Sequence, residues 1–255
     1  MSHYFLAYSK NQDIRQLSTS GGFVKEVLAH ALRSGLVDKI IYPHMPSGLE
    51  PIVEITSDTE KLFSPCANSI YQDIPLTRFV RDRIQQNERY AITTLPCQSK
   101  AFLLGSQFPL VIELQCGRVP SPAWTYGILT RQNLTPQDVK RFIYRTGEWP
   151  GQGRIETLDG RILPFNFRRA WDEEVHHKPP RCCGCTLYNK SPQLVVGDPW
   201  RLLPMFSGES GMTLLRVNDP SLIPWLTEAN IKMTAISHQK YQQSVKSLMR
   251  RKKRE

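Results

Sequence analysis

Apolar residues recur along this chain with two spacings, one typical of helices and the other typical of strands. Apolar side chains at helical spacing extend from Phe23 to about Ser34, where Gly35 ends the run. The same spacing predicts helices over residues 75–89 and 98–106, and a final helix near the C-terminus. Short apolar runs predict strands at residues 39–43, 51–56, 90–94, 110–116, 193–196 and 211–217.

The order of these segments indicates how the strands are connected. Strand, helix and strand follow one another between residues 90 and 116, which is typical of a parallel crossover unit. Residues 141–145, 154–158 and 161–165 are strand-like, and Asp159-Gly160 predicts a two-residue hairpin. We therefore predict an α/β fold, a mixed sheet with a parallel crossover core and a β-hairpin insertion. We expect a single domain over residues 1–240 and a basic tail at residues 241–255.

The composition fits a globular domain of this size. The chain has 255 residues, of which 40% are hydrophobic and 22% are charged. These proportions are enough to bury a core, and they exclude a disordered chain, a collagen-like repeat and a coiled coil. No apolar run approaches the roughly 18–20 residues that span a bilayer. The N-terminus also lacks the layout of a secretory signal, so we expect a soluble, cytoplasmic protein.

The excess positive charge is concentrated at the C-terminus. The formal net charge is +10, and residues 246–255 contain six Lys and Arg against one acid, Glu255. Such a tail attracts polyanions, for example nucleic acid, anionic lipid, a phosphorylated cofactor or an acidic protein. A solvated helix end would have the same composition, so both interpretations stay open.

The cysteines are the most informative residues for chemistry. Cys182 and Cys185 form a C-x-x-C pair, by which one loop presents two thiolates to one metal centre. Cys97 and Cys116 each end a predicted parallel strand, and such strand ends lie along one edge of a sheet. The four could therefore converge on a metal ion or a 4Fe–4S cluster. A C-x-x-C pair also occurs in dithiol redox sites, and a lone cysteine also occurs as a buried core thiol.

A small polar segment opens the first long helix, with the sequence Ser18-Thr19-Ser20-Gly21-Gly22. Small residues at a helix start expose backbone N–H groups, and the helix dipole favours an anion there. The simpler interpretation is that one of the two serines caps the helix. The chain contains no Walker A, H-E-x-x-H or G-x-S-x-G motif, so hydrolase chemistry finds no support and no catalytic residue is identified.

Five motifs follow one another in the order found in a known family. They are Ser18-Thr19-Ser20-Gly21-Gly22, Leu95-Pro96-Cys97-Gln98, residues 112–117, Cys182–Cys185 and Gly197-Asp198-x-Trp200. As an ordered set they resemble the beta-subunit family of coenzyme F420 hydrogenases and formate dehydrogenases. That family also includes ferredoxin-linked reductases of chlorophyll metabolites. The resemblance covers residues from about 15 to 240.

The resemblance implies a flavin and iron–sulfur oxidoreductase or electron-transfer subunit. In such a module, electrons pass between a 4Fe–4S cluster, FAD and a deazaflavin (coenzyme F420) or a ferredoxin-linked substrate. It implies four cluster ligands, Cys97, Cys116, Cys182 and Cys185. It also implies that FAD lies against Ser18, Ser20, Gly21 and Gly22. The implied partners are an acidic ferredoxin or a hydrogenase/dehydrogenase partner subunit, together with an anionic deazaflavin.

The alternative is a non-catalytic zinc- or nucleic-acid-binding protein. It would use the C-x-x-C loop for the metal and the cations of residues 250–254 for phosphate groups. The sequence offers no recognition helix with interleaved aromatic residues, so this hypothesis ranks behind the redox one and nucleic acid is not an expected partner.

Overall fold

The structure of the chain is a computed structural model. It describes residues 2–64, 68–103, 105–147, 149, 151–172, 174–183, 185, 192–200, 202 and 211–252. Cys66 and residues 253–255 of the basic tail lie outside this part of the chain. Within it, no helix has both the length and the apolar character needed to cross a membrane.

The strands of the described residues form two sheets. They are β1 His3–Ser9, β2 Lys39–His44, β3 Ile52–Thr56, β4 Tyr90–Thr94, β5 Leu110–Leu114, β6 Val139–Thr146, β7 Gln152–Thr157, β8 Ile162–Phe165, β9 Leu194–Gly197, β10 Thr213–Val217 and β11 Ile231–Ala235. The larger sheet has the order β11-β1-β10-β9-β5-β4-β2-β3, and the smaller one has the order β6-β7-β8.

The helices connect the strands and cover the larger sheet. They are α1 Gln12–Gln16, α2 Phe23–Arg33, α3 Thr59–Phe63, α4 Leu76–Arg81, α5 Pro96–Ser99, α6 Pro122–Arg131, α7 Phe167–Asp172, α8 Leu222–Glu228 and α9 His238–Lys252. Short 3-10 turns occupy Pro136–Asp138, Glu174–His177 and Pro180–Cys182.

Four neighbouring strands of the larger sheet run parallel. β2 pairs with β4, β4 with β5, and β5 with β9, each in parallel register. β3 pairs antiparallel with β2 on one side, and β10, β1 and β11 continue the sheet on the other side, each antiparallel to its neighbour. The predicted mixed sheet with a parallel crossover core is therefore confirmed. Its consequence is that the carboxyl ends of β2, β4, β5 and β9 share one edge.

The predicted β-hairpin insertion is also confirmed. β7 and β8 pair antiparallel, and β6 joins β7 on its other side. The hairpin loop has three residues, 158–160, rather than the predicted two, because the register places Thr157 opposite Arg161. Gly160 has φ +89°, the left-handed conformation that ends such a three-residue loop. The ring of Phe165 lies over Gly153, its cross-strand partner, where a Cβ would meet the ring at 2.0 Å. A side chain at position 153 would therefore displace Phe165 from the core of this sheet.

The parallel core is buried on both of its faces, which explains its continuous apolar runs. Alternate residues face the two sides, because side chains in a strand point in opposite directions. One face packs against α2 and includes Ile40, Ala91 and Ile112; the other includes Ile41, Ile92 and Val111. All six side chains are fully buried.

The helices predicted over residues 75–89 and 98–106 are largely wrong. α4 ends at Arg81, and the following segment is held by the Gln107 amide, which donates to the carbonyls of Gln85 and Gln86 at 2.7 and 3.0 Å. α5 ends at Ser99, and Phe102 N donates to Ser99 O in a tighter turn. A contact with a distant residue replaces the helix in the first place, and local turns replace it in the second, despite the helical spacing of the sequence.

The C-terminal helix begins inside the predicted domain and extends into the predicted tail. α9 covers His238–Lys252, so the expected boundary after residue 240 falls within one helix. Tyr241 and Ser244 on this helix are buried, at 4% and 2% exposure. The first turns of α9 are therefore part of the globular body.

The buried histidine of α2 should make stability depend on pH. The Nε2 atom of His30 lies 3.1 Å from the carbonyl oxygen of Trp225. Burial lowers the pKa of His30 below its usual 6.5, although the hydrogen bond with Trp225 acts to raise it. The unfolded chain therefore binds more protons than the folded chain just below that pH, and stability should fall as the pH drops through about 6.5.

Substituting His30→Gln, which keeps a side-chain donor for Trp225, should make this fall shallower. The measurement is the urea midpoint of unfolding at about pH 7.5 and about pH 5.5 for both proteins. An equal decrease in the two proteins would show that His30 does not titrate on unfolding in this range.

Candidate functional site

The carboxyl ends of the parallel strands open onto one cavity of about 300 Å³. Each strand contributes a wall residue at or near its end: Pro43 of β2, Thr94 of β4, Leu114 of β5 and Gly197 of β9. Open α/β sheets place their ligands at this edge, and a cavity of this volume is at the lower end of the range for small-molecule sites.

Helix α9 supplies a further wall of the cavity through Ser244, whose side chain faces the site from the C-terminal end of the chain. The cavity is thus enclosed by segments from both ends of the sequence.

The Ser-Thr-Ser-Gly-Gly segment forms one side of this cavity, lined by Ser18, Ser20 and Gly22. Gly21 and Gly22 both have positive φ, +77° and +75°. A Cβ on Gly21 would lie 2.4 Å from the carbonyl oxygen of Gly211, so the tight approach of these two backbones requires glycine. The N-cap of α2 is Gly22 with no side-chain cap, so the interpretation that Ser18 or Ser20 caps this helix is wrong.

Three hydroxyl groups on the cavity wall have no hydrogen-bond partner among the residues that the structure describes. They belong to Ser18, Tyr42 and Thr94, and their oxygen atoms are buried. A buried polar group without a partner costs about 1–3 kcal/mol. These hydroxyls are therefore suited to hydrogen bonds with a ligand.

The charged groups of the cavity favour an anion. Of the described side chains that line it, three are cations, Lys25, Arg118 and Arg145, and one is a carboxylate, Asp198. Lys25 lies in the first turn of α2, where the helix dipole adds positive potential, and its Nζ donates to the Ser64 carbonyl at 3.1 Å. Uncapped N–H groups, cations and hydroxyls thus meet on one wall.

A buried ion pair on the cavity wall joins the two sheets. Arg145 of β6 donates through Nη1 to Asp198, which follows β9, at 2.8 Å, and to the Tyr71 hydroxyl at 2.9 Å. The guanidinium also lies 5.1 Å from the ring centroid of Phe167 and 5.6 Å from that of Trp200. Burial acts to lower the pKa of Arg145, but Asp198 and Tyr71 outweigh it and raise that pKa, so the group stays charged.

Ser20 connects this ion pair to the glycine turn. Its hydroxyl donates to Asp198, and its carbonyl accepts from the Thr213 hydroxyl at 2.5 Å. The Ser20 side chain therefore positions the Asp198 carboxylate, in addition to lining the cavity.

Three of the four predicted thiol ligands lie near one another. Cys97, at the start of α5, is exposed at its surface, while Cys182 and Cys185 follow the Pro179 loop and are half-buried. Burial raises the pKa of the Cys97 thiol; Cys185 and Cys182 raise it further, and Arg181 lowers it. These thiols are therefore within electrostatic reach of one another.

The fourth predicted ligand, Cys116, lies on the cavity wall, two residues beyond the end of β5. Within the described part of the chain, no three His, Cys, Asp or Glu side chains are grouped closely enough to hold a metal ion. The four cysteines supply the type of donor atom that an iron–sulfur cluster requires. Among the described residues, however, their side chains are not arranged around a single ion position.

Two family profiles match the chain over most of its length. Coenzyme F420 hydrogenase/dehydrogenase, beta subunit N-term, matches residues 4–81, and the C terminus of the same beta subunit matches residues 87–240. The chain belongs to this beta-subunit family. Its function is accordingly a redox one, as an oxidoreductase or electron-transfer subunit.

A solved structure shares the fold of this beta-subunit family member. It is the F420-reducing nickel–iron hydrogenase complex from Methanosarcina barkeri, studied by xenon derivatization, with 14% sequence identity and a TM-score of 0.67. The match covers 97% of this chain and 90% of that one. No curated protein sequence matches the chain.

Sequence reasoning missed part of this beta-subunit site. In the sequence, Asp198 stands out only as part of the Gly-Asp-x-Trp motif. Arg145 and Tyr71 lie in ordinary strand and loop patterns, so no sequence motif marks them as site residues. Arg145 follows the apolar run Phe142–Tyr144, but the same strand also carries Lys140 and Arg141, which are not buried, so its position does not single it out.

The buried ion pair should matter far more to stability than a more exposed pair on the same strand. Arg145→Met leaves Asp198 without its counter-charge and should cost about 3–5 kcal/mol of unfolding free energy. Arg141, also on β6, pairs with Glu156 at 2.6 Å but has a side chain 28% exposed. Arg141→Met should therefore cost only about 0–1 kcal/mol.

Urea unfolding of the two variants and the unmodified chain gives the comparison. Equal losses would mean that the Arg145 pair does not hold the sheets together.

Proposed function

We propose that this chain is an oxidoreductase subunit with a flavin and an iron–sulfur cluster. It would pass electrons between a 4Fe–4S cluster, FAD and a deazaflavin (coenzyme F420) or a ferredoxin-linked substrate. The observation that supports the proposal is the electrostatic contact of Cys182 and Cys185 with Cys97, which lies beside the strand-end cavity. Cys97 lies between Leu95 and Gln98, which both line that cavity.

The cavity wall at α2 fits the phosphates of FAD. Three groups on this wall can bind an anion. They are the Ser18 hydroxyl, which has no hydrogen-bond partner among the described residues, the uncapped N-terminus of α2 and the Lys25 ammonium. We propose Ser18, Ser20, Gly21 and Gly22 as the residues that would hold this part of the cofactor. Ser20 would act partly through Asp198, to which its hydroxyl is already bonded.

The aromatic part of the lining fits a flat ring. Phe167, Trp171 and Trp200 belong to it, together with Tyr71 and the Arg145 guanidinium. Aromatic side chains pack against planar ligands through their faces and edges. The cavity thus offers groups for both the charged and the aromatic part of a flavin nucleotide.

The thiol set fits the ligands of a 4Fe–4S cluster, each of which is a cysteine thiolate. We propose Cys97, Cys116, Cys182 and Cys185 as those ligands, with Cys116 supplied from the cavity wall. When bound, a cluster supplies single electrons and a flavin handles one or two, so the pair links one-electron and two-electron chemistry.

The proposed partner is another subunit of a redox complex. The structure with the same fold belongs to a hydrogenase complex, and the basic C-terminal residues suit an acidic partner or an anionic deazaflavin.

Removing a cluster ligand should remove iron, whereas removing the neighbouring thiol should not. Cys182→Ser and Cys185→Ser should each lose the broad visible absorbance and most of about four iron atoms per chain after anaerobic reconstitution. The matched control is Cys183→Ser, because Cys183 is exposed and its Sγ lies 3.8 Å from the carbonyl of Pro179.

Iron and acid-labile sulfide are assayed on the same samples. Equal iron in all three variants, or an equal loss in the control, would refute the ligand assignment. One zinc per chain in place of iron would favour the non-catalytic alternative.

Removing the Ser18 hydroxyl should weaken FAD binding without unfolding the chain. One lost hydrogen bond corresponds to a roughly three- to tenfold higher Kd. Ser34→Ala, at the other end of α2, removes a hydroxyl that does not line the cavity and should leave Kd unchanged. Titration of flavin fluorescence against the apoprotein measures both variants, and an unchanged Kd for Ser18→Ala would show that this hydroxyl does not contact the cofactor.

A further inference from the structure

Tyr71 is fixed on the cavity wall by a cluster of aromatic side chains. Its ring centroid lies 4.9 Å from that of Trp171, 5.1 Å from Phe167 and 5.5 Å from Tyr144. The contacts with Trp171 and Tyr144 are edge-to-face, the arrangement that aromatic pairs prefer. The phenol therefore has a defined direction before any ligand binds.

The hydrogen bonds of Tyr71 leave its own hydrogen available. The guanidinium of Arg145 donates to the phenol oxygen at 2.9 Å, and arginine can only donate. Burial raises the pKa of Tyr71, so the phenol stays protonated, while its hydrogen bonds with Arg145 and Ser69 act to lower that pKa. Between the two hydroxyls of Tyr71 and Ser69 either oxygen can be the donor. When Ser69 donates to the phenol oxygen, the phenol hydrogen is free to turn toward an acceptor in the cavity.

We propose that Tyr71 donates a hydrogen bond to the redox-active ring bound in this cavity and so stabilises its reduced form. The proposal rests on the proposed function and assigns a specific residue to it. The ligand class is a flat heterocycle with an acceptor atom at its edge, either a carbonyl oxygen or a ring nitrogen. Such an atom accepts a stronger hydrogen bond after two-electron reduction, because the ring then carries more negative charge.

The neighbours of Tyr71 make it a strong donor. Arg145 donates to the phenol oxygen and polarises its O–H bond, since bonds in a chain strengthen one another in a low-dielectric site. Asp198 balances the guanidinium at 2.8 Å, so the pair adds no net charge that would attract oxidised and reduced ligands alike. The preference for the reduced ring therefore depends on the phenol hydrogen.

The neighbouring Tyr144 provides a matched control. It is also a buried tyrosine of the same aromatic cluster, and burial raises its pKa to about 12. Its hydroxyl, however, is bonded to Thr125 at 2.7 Å and to the Gln72 amide at 2.9 Å, and it does not line the cavity. Tyr144→Phe thus removes a buried hydroxyl from the cluster without removing a donor to the ligand.

The test is a dye-coupled anaerobic redox titration of FAD bound to the unmodified chain, Tyr71→Phe and Tyr144→Phe. The Kd for oxidised FAD is measured on the same proteins. We expect Tyr71→Phe to lose about tenfold in relative affinity for reduced over oxidised flavin, which lowers a two-electron midpoint potential by about 30 mV. The Kd for oxidised FAD should change little, and Tyr144→Phe should leave the potential unchanged.

The possible results separate this inference from the proposed function. FAD binding by the unmodified chain, with the same potential in Tyr71→Phe, overturns the role of Tyr71 alone. An equal decrease in Tyr144→Phe also overturns it, because the effect would then come from looser packing. Failure of the unmodified chain to bind FAD overturns both.

Discussion

The buried ion pair between Arg145 and Asp198 is the contact on which the geometry of the cavity depends. One partner comes from the small antiparallel sheet and the other from the end of a central parallel strand. The same pair is bonded to Ser20 of the glycine turn and to Tyr71 of the aromatic wall. A buried pair repays its desolvation cost only with good geometry, so its contribution here is to fix where four segments meet rather than to add stability.

The edge formed by the carboxyl ends of the parallel strands explains the position of the polar groups that line the cavity. The four strand ends bring backbone and side chains from distant parts of the sequence to one side of a sheet whose two faces are filled with apolar residues. Polar groups cannot be placed in those faces without a cost, so they collect at the edge. Hydroxyls and cations line the cavity, and aromatic rings lie against the guanidinium of the ion pair.

The spacing of apolar residues and the turn residues correctly predicted the elements that local interactions determine. α2, the parallel pairing of β4 with β5 and the hairpin at Asp159-Gly160 follow from spacing and turn chemistry, and they agree with the structure. The segment after Arg81 kept a helical spacing but is held instead by Gln107, a contact that no local rule contains. Arg145 was missed for the same reason, since its partner Asp198 is far away in sequence and its strand resembles many others.

Helix α9 has a consequence for the order in which the fold forms. Ser244 of this helix and Ser18 of the glycine turn both line the cavity, although more than 200 residues separate them in sequence. Contacts between such distant segments carry a large loop-closure cost and tend to form late in folding. A folding intermediate in which α9 has not yet docked would therefore contain the parallel core but lack a complete pocket.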